Sequence, residues 1–398
     1  MLNQRYKEML NAKSQIRELA GYAARRGTEI GYENVFDYSL GNPSVPVPEK
    51  FNDVIRGFLK DREPVALHGY SPNPGLSEVR DKIAASLSER FSLPYRREHI
   101  FMTSGAAGAI AHAARAVSTP GEEIITFAPF FPEYRPYINE TGAILKIVEA
   151  DTTSFQINFE AFERLLNEKT AAILINTPNN PSGIVYSEET IRRLSEILRE
   201  KEKEYGHEIY IISDEPYREI VFDGKEAPCI SAIYENTVMC YSFSKSLSVP
   251  GERIGYVAVS PNCKDAELIV NMCVQISRGT GHNCPSSLIQ LAVGELLEDT
   301  SDLSVYERNR NLLYNKLTEL GFEVVRPDGT FYIFPKAPIA DAKEFCNEAL
   351  KYDLILVPSD TFGVPGYFRM AYCISTEKVE RSFAALEKLA GAYHMTEK

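Results

Sequence analysis

Between residues 98 and 259 the chain repeats one pattern, a short apolar run followed by a segment with helical spacing. The apolar runs are His99–Thr103, Glu123–Phe127, Ala143–Val148, Ala171–Asn176, Glu208–Ile212, Thr237–Tyr241 and Ile254–Val259. The helical segments between them include Gly105–Val117, Phe159–Leu166 and Glu188–Glu204. None of the runs alternates cleanly between apolar and polar residues, so both faces of each strand must be covered. Strands connected through helices predict an α/β fold: a mainly parallel seven-stranded sheet flanked by helices.

The last hundred residues read as a smaller α+β unit. Helices are expected near 286–298 and 302–320, then a hairpin over "FEVVRPDGTFYIF" with Asp328-Gly329 at its turn. Another helix precedes "ILVPSDTFG" and "GYFRMAYC". A chain of 398 residues exceeds the usual size of one hydrophobic core. The expected division is an N-terminal arm with part of the small domain over 1–48, a large domain over 49–290, and a small C-terminal domain over 291–398. Tyr6 to Arg25 reads as a helix, with Met9, Leu10, Ile16 and Leu19 at helical spacings. The Gly- and Pro-rich "DYSLGNPSVPVPEKF" that follows is an irregular connection.

Composition narrows the function classes. The formal charge is −12 and no basic stripe with interleaved aromatics is present, which argues against a nucleic-acid surface. Seven dispersed cysteines without a C-x-x-C pair read as reduced and cytoplasmic, and six dispersed histidines show no metal-site spacing. Residues 1–27 lack the apolar centre of a secretory signal. No run approaches the length of a membrane span, about 18 apolar residues.

In an open parallel sheet, ligands bind beyond the carboxyl ends of the strands. The unusual polar groups of this sequence gather there. "SGAAGA" follows the first run, "TPNNPSG" the fourth, "SDEPY" the fifth and "SFSK" the sixth. Each stretch alone has a plain structural reading: a tight turn before a helix, a turn signature, a helix cap, a surface lysine. Together they bring an amine (Lys245), a carboxylate (Asp214), a phenol (Tyr217), an amide (Asn180), hydroxyls (Ser242, Ser244) with Arg253, and a glycine-containing helix start to one rim. These are the parts needed to hold a phosphorylated aromatic aldehyde.

With these stretches in order, the chain resembles the fold type I pyridoxal-phosphate enzymes, specifically the class I/II aminotransferases. The matching stretches are "LGNPSVPVP", "GYSPNPGLSEVRDKIA", "SGAAGAI", "PFFPEY", "NTPNNPSG", "SDEPY", "SFSKSLSVPGERIGY", "PDGTFYIFP" and "GYFRMAYC", spread from residue 40 to 373. The resemblance implies pyridoxal 5′-phosphate as cofactor and Lys245 as the residue that joins it through a Schiff base. It implies Asp214 at the pyridine nitrogen, Tyr217 and Asn180 at the ring oxygen, and Phe131 stacked on the ring. The phosphate would rest on the backbone of Ala106 and Ala107, closed in by Ser242, Ser244 and Arg253. Arg369 matches the arginine for the substrate α-carboxylate, and Gly41 and Asn42 the loop bordering the substrate. Tyr70 matches a residue that reaches the phosphate of the other subunit, so a homodimer with active sites at the interface is implied.

The reaction implied is amino-group transfer between an L-amino acid and a 2-oxo acid. An aspartate/2-oxoglutarate type is one expectation, with aromatic, alanine and methionine-type substrates also open. Two positions depart from the pattern of the bacterial aspartate enzymes. Ala107 stands where many carry a lysine for the distal carboxylate, and Val249-Pro250-Gly251 replaces the usual Met-Thr-Gly. Arg278 lies near where another subgroup supplies a distal-carboxylate arginine. A β-C–S lyase or an aminocyclopropane-carboxylate-synthase-like enzyme would share nearly every cofactor residue. A non-catalytic sensor is disfavoured by the intact catalytic set, and a nicotinamide enzyme by the lack of G-x-G-x-x-G.

Overall fold

The computed structural model describes residues 2–10 and 14–395. Twelve strands are formed among them: β1 (Phe36–Asp37), β2 (Ile100–Thr103), β3 (Glu123–Phe127), β4 (Ile144–Val148), β5 (Thr170–Asn176), β6 (Tyr210–Asp214), β7 (Thr237–Ser242), β8 (Gly255–Val259), β9 (Tyr332–Ile333), β10 (Leu354–Ile355), β11 (Val357–Pro358) and β12 (Phe368–Ala371). Seven of them build the main sheet in the order β2-β8-β7-β6-β5-β3-β4. Only β8 runs against the rest, paired antiparallel to both β2 and β7. The carboxyl ends of β2, β5, β6 and β7 therefore share one rim.

Burial explains the sequence pattern. Every residue of β2, β3, β5, β7 and β8 is buried, whereas the edge strand β4 is partly exposed along its outer run. The helix Gly105–Val117 packs across β6, β7 and β8. Its Gly108, Ala109, Ala113 and Ala114 are buried, and such small side chains let a helix approach the sheet closely. The strand expected at Glu208–Ile212 forms two residues later. The β6 ladder continues through Ser213 and Asp214, paired with Ile175 and Asn176 on β5. Polarity alone marks the end of this strand too early, and the shift places Asp214 as its last residue.

A second core joins Leu313, Leu317, Phe331, Phe345, Phe368 and Leu386 over the antiparallel trio β11-β12-β9. The parallel pair β1–β10 ties the segment before residue 40 to this unit. The helices expected near 286–298 and 302–320 form as Ser287–Gly294 and Ser304–Glu319.

The hairpin expected over "FEVVRPDGTFYIF" does not form. β9 pairs instead with β12, and the N–H groups of Asp328 and Gly329 both donate to Gly183 O at 2.9 Å. The Asp-Gly pair thus docks the second unit on the loop after β5 rather than closing a local turn.

The helix expected from Tyr6 to Arg25 is two helices, Gln4–Met9 and Gln15–Ile30; residues 11–13 lie outside the described residues. The second packs Ala23 against Val35 and Ile355, and its Arg26 pairs with Asp353 at 2.8 Å. No helix among the described residues is long and apolar enough to cross a membrane.

Candidate active site

A cavity of about 300 Å³ opens at the rim where β2, β5, β6 and β7 end, between the main sheet and the second unit. Its chemistry is set by how each strand ends. β7 stays buried through Ser242 and turns directly into the short helix Phe243–Ser246. Ser242 caps that turn by accepting the Ser244 N–H at 3.2 Å, and its hydroxyl meets Ser244 Oγ at 2.8 Å. Lys245 is thereby carried into the cavity, where Nζ donates to Gly41 O at 2.7 Å. Burial pushes the Lys245 ammonium down to about 8; Arg253 and Arg369 act in the same direction and the neighbouring Cys373 against it.

Asp214 ends β6. Its Oδ2 accepts the Tyr134 hydroxyl at 2.5 Å, while Oδ1 is buried without a partner among the described residues. Burial raises this carboxyl to about 7, with the Tyr134 hydrogen bond opposing. Asn176, the last residue of β5, fixes the neighbourhood twice. Its amide donates to Asp214 O at 2.8 Å, and its Oδ1 accepts the Asn180 N–H at 2.7 Å. Asn180 Oδ1 then accepts from Arg369 Nη1 at 3.1 Å. Arg369 on β12 is buried, donates also to Ser39 O at 2.5 Å, and lies over the Tyr332 ring at 4.6 Å. Tyr217 places its hydroxyl 3.2 Å from that of Tyr332, and burial holds it well above the ordinary tyrosine range.

The helix Gly105–Val117 points its N-terminus at the same space, with Ala106 and Ala107 on the wall. Unpaired N–H groups at such an end attract anions. Arg253 closes in from the other side, donating to Pro250 O at 3.0 Å and Ser104 O at 3.2 Å. Gly105 has φ +75°, and a Cβ there would come within 3.1 Å of Arg253 Nη2. Phe131 forms a half-buried wall, edge-on to Tyr134 at 5.8 Å. A Cβ on Gly41 would collide with the Tyr332 hydroxyl, so the loop can reach Lys245 only as glycine.

Twelve sequence-derived candidates therefore meet in one cavity: Gly41, Ala106, Ala107, Phe131, Asn180, Asp214, Tyr217, Ser242, Ser244, Lys245, Arg253 and Arg369. Three lie elsewhere in the single chain. Tyr70 is fully exposed. Asn42 is exposed beside the wall. Arg278 is exposed in the last turn of the helix Ala266–Thr280. Sequence reasoning missed Tyr134, Asn176 and Tyr332, although each lies within a stretch quoted for the resemblance. It also missed Arg17 and Ile16, which line the cavity from the start of the Gln15–Ile30 helix. Among the described residues no group of His, Cys, Asp or Glu side chains is arranged to hold a metal ion.

The arrangement offers an amine that is part neutral near pH 8, a buried carboxylate with a free oxygen, an anion-binding helix end and two guanidinium groups. The sequence model of aminotransferase class I and II matches residues 33–386. Aromatic-amino-acid aminotransferase 2 of Thermococcus litoralis is 29% identical, with 96% of each chain covered. The aspartate aminotransferase of Thermotoga maritima is 31% identical over 89% of this chain and 91% of that one. A crystal structure of an amino transferase from Eubacterium rectale superposes with a TM-score of 0.96 at 43% identity, covering 99% of both chains. The cavity at the strand ends and the full-length match agree: this chain belongs to the aminotransferase class I and II family and is a transaminase.

Proposed function

We propose that the enzyme holds pyridoxal 5′-phosphate in this cavity, covalently on Lys245, and moves an amino group between an L-amino acid and a 2-oxo acid. The observation that carries the reading is the unpartnered Oδ1 of buried Asp214 in the cavity that also holds the shifted amine of Lys245. A buried acceptor without a donor is costly, and a protonated pyridine nitrogen supplies the missing donor. The helix start at Ala106 and Ala107, with Ser242, Ser244 and Arg253, suits the phosphate. Phe131 suits the ring face, and Asn180 and Tyr217 suit the ring oxygen.

When bound, the cofactor supplies an electron sink. The protein's own groups do the rest. Arg369 grips the α-carboxylate through its planar fork, held in orientation by Asn180 and Ser39. Once the substrate's amino group has displaced it from the cofactor, the Lys245 amine, neutral in part near pH 8, would take the proton from the substrate Cα as general base. Tyr70, exposed in the single chain, is proposed to reach the phosphate of a second copy in a homodimer.

Hydride trapping tests the assignment. Reduction of the holoenzyme followed by digestion should label the peptide containing Lys245, and Lys245→Ala should lose both label and turnover. Label on a different peptide refutes the proposal. Product analysis checks the reaction: oxo-acid formation that requires an acceptor oxo acid supports transfer, while release of ammonia or thiol shows elimination instead.

A further inference from the structure

The cavity wall carries three guanidinium groups, those of Arg17, Arg253 and Arg369. Under the reading above, which this inference rests on, Arg253 serves the phosphate and Arg369 the α-carboxylate. Arg17 is left without an anion. It is exposed where it lines the cavity and makes no hydrogen bond or ion pair with any described residue. Glu133 lines the same wall, and both it and Arg17 act on the Tyr137 hydroxyl, but the two side chains do not form an ion pair.

The position of Arg17 is set by anchored structure on either side. Downstream, its helix is fixed by the Ala23, Val35 and Ile355 contact and by Arg26 on Asp353. Upstream, Arg5 pairs with Glu140 at 3.1 Å and donates to Asn139 O, next to the segment that carries Glu133 and Tyr137. The same cavity is lined by the apolar side chains of Ile16, Leu40 and Ala107. A substrate that puts its α-carboxylate on Arg369 thus shares its cavity with a further cation that has no anionic partner among the described residues.

We propose that Arg17 recognises a second acidic group at the far end of the substrate side chain, and that the preferred substrates are dicarboxylic amino acids and their oxo acids. Ala107 supplies only a methyl group at the helix start, and Arg278 lies outside the cavity of its own chain. A guanidinium suits the role because its planar fork binds a carboxylate bidentately.

The test compares holoenzymes of the natural sequence, Arg17→Met, Arg17→Lys and Arg278→Met with L-aspartate, L-glutamate, L-alanine and L-phenylalanine. In Arg17→Met the KM for the two acidic amino acids should rise about 10- to 100-fold, as expected for loss of charge-assisted hydrogen bonds. The KM for alanine and phenylalanine should move far less, kcat should change little, and Arg17→Lys should recover part of the loss. An equal rise for all four substrates would show a structural role for Arg17 and overturn the proposal. So would an acid-specific loss in Arg278→Met but not in Arg17→Met, or an enzyme of natural sequence that does not prefer acidic substrates. Absence of transamination with every amino acid would instead refute the underlying assignment of the site, and this inference with it.

Discussion

Burial acts on Asp214 and Lys245 in opposite directions along the pH scale, because in each case it penalises the charged form. Asp214, raised to about 7, keeps a proton in the folded chain that the unfolded chain has already released above its ordinary pKa, about 3.9. Its contribution to stability therefore falls as pH rises from about 4 to 7 and stays unfavourable above that window. Asp214→Asn should raise the unfolding free energy of the cofactor-free protein at pH 8 by on the order of 1 kcal/mol or more, and leave it nearly unchanged at pH 4, as denaturant titration would measure. The same variant should lose most of its turnover, so near-native rates would remove the carboxylate from the proposed role. Lys245, depressed to about 8, works with the opposite sign: stability rises with pH from about 8 toward its ordinary value, about 10.4. Capture of an aldehyde by the cofactor-free protein should accordingly speed up to about pH 8 and then level off. A rate still climbing at pH 10 would contradict the shift. Both residues were legible in the sequence, because strand-end polar groups stand out against apolar runs. Tyr134 was not, since nothing in "PFFPEY" reveals that its hydroxyl points at a carboxylate eighty positions away.

At the scale of elements, the strands of the main sheet were readable because burial on both faces leaves each an unbroken apolar run. The ends were less readable where polar residues stay in the ladder, as at Ser213 and Asp214. The failed hairpin has a different cause. Asp328-Gly329 carries a local turn signal, yet its N–H groups are taken by Gly183, a partner no local pattern discloses. The opening of the Gly105–Val117 helix shows what such junctions require. Its first residue has φ +75°, a region that costs other residues about 1–2 kcal/mol. Gly105→Ala should lower stability by about that amount. It should also weaken cofactor binding, because the added methyl group crowds Arg253. Denaturant titration and a cofactor Kd measure the two effects, and an unchanged Kd would separate Arg253 from the phosphate site.

For the whole molecule, the proposed homodimer makes a sharp prediction. If Tyr70 completes its neighbour's site, Lys245→Ala and Tyr70→Ala subunits are each impaired alone but complementary when mixed. Equal mixing and reassociation should create native sites at about a quarter of the total, all of them in hybrid dimers of the usual two-fold kind. Activity no greater than the mean of the parents would place Tyr70 outside the neighbouring site.

The cavity wall runs from Ser14 near the start of the chain to Arg369 near its end, with Lys245 between them. The depressed pKa of Lys245 therefore exists only once both ends of the chain have folded back onto its middle, with Gly41 on one side and Arg369 and Cys373 on the other. A nascent or C-terminally cut chain carries an ordinary protonated lysine there, and should capture free aldehydes at pH 8 more slowly than the whole protein.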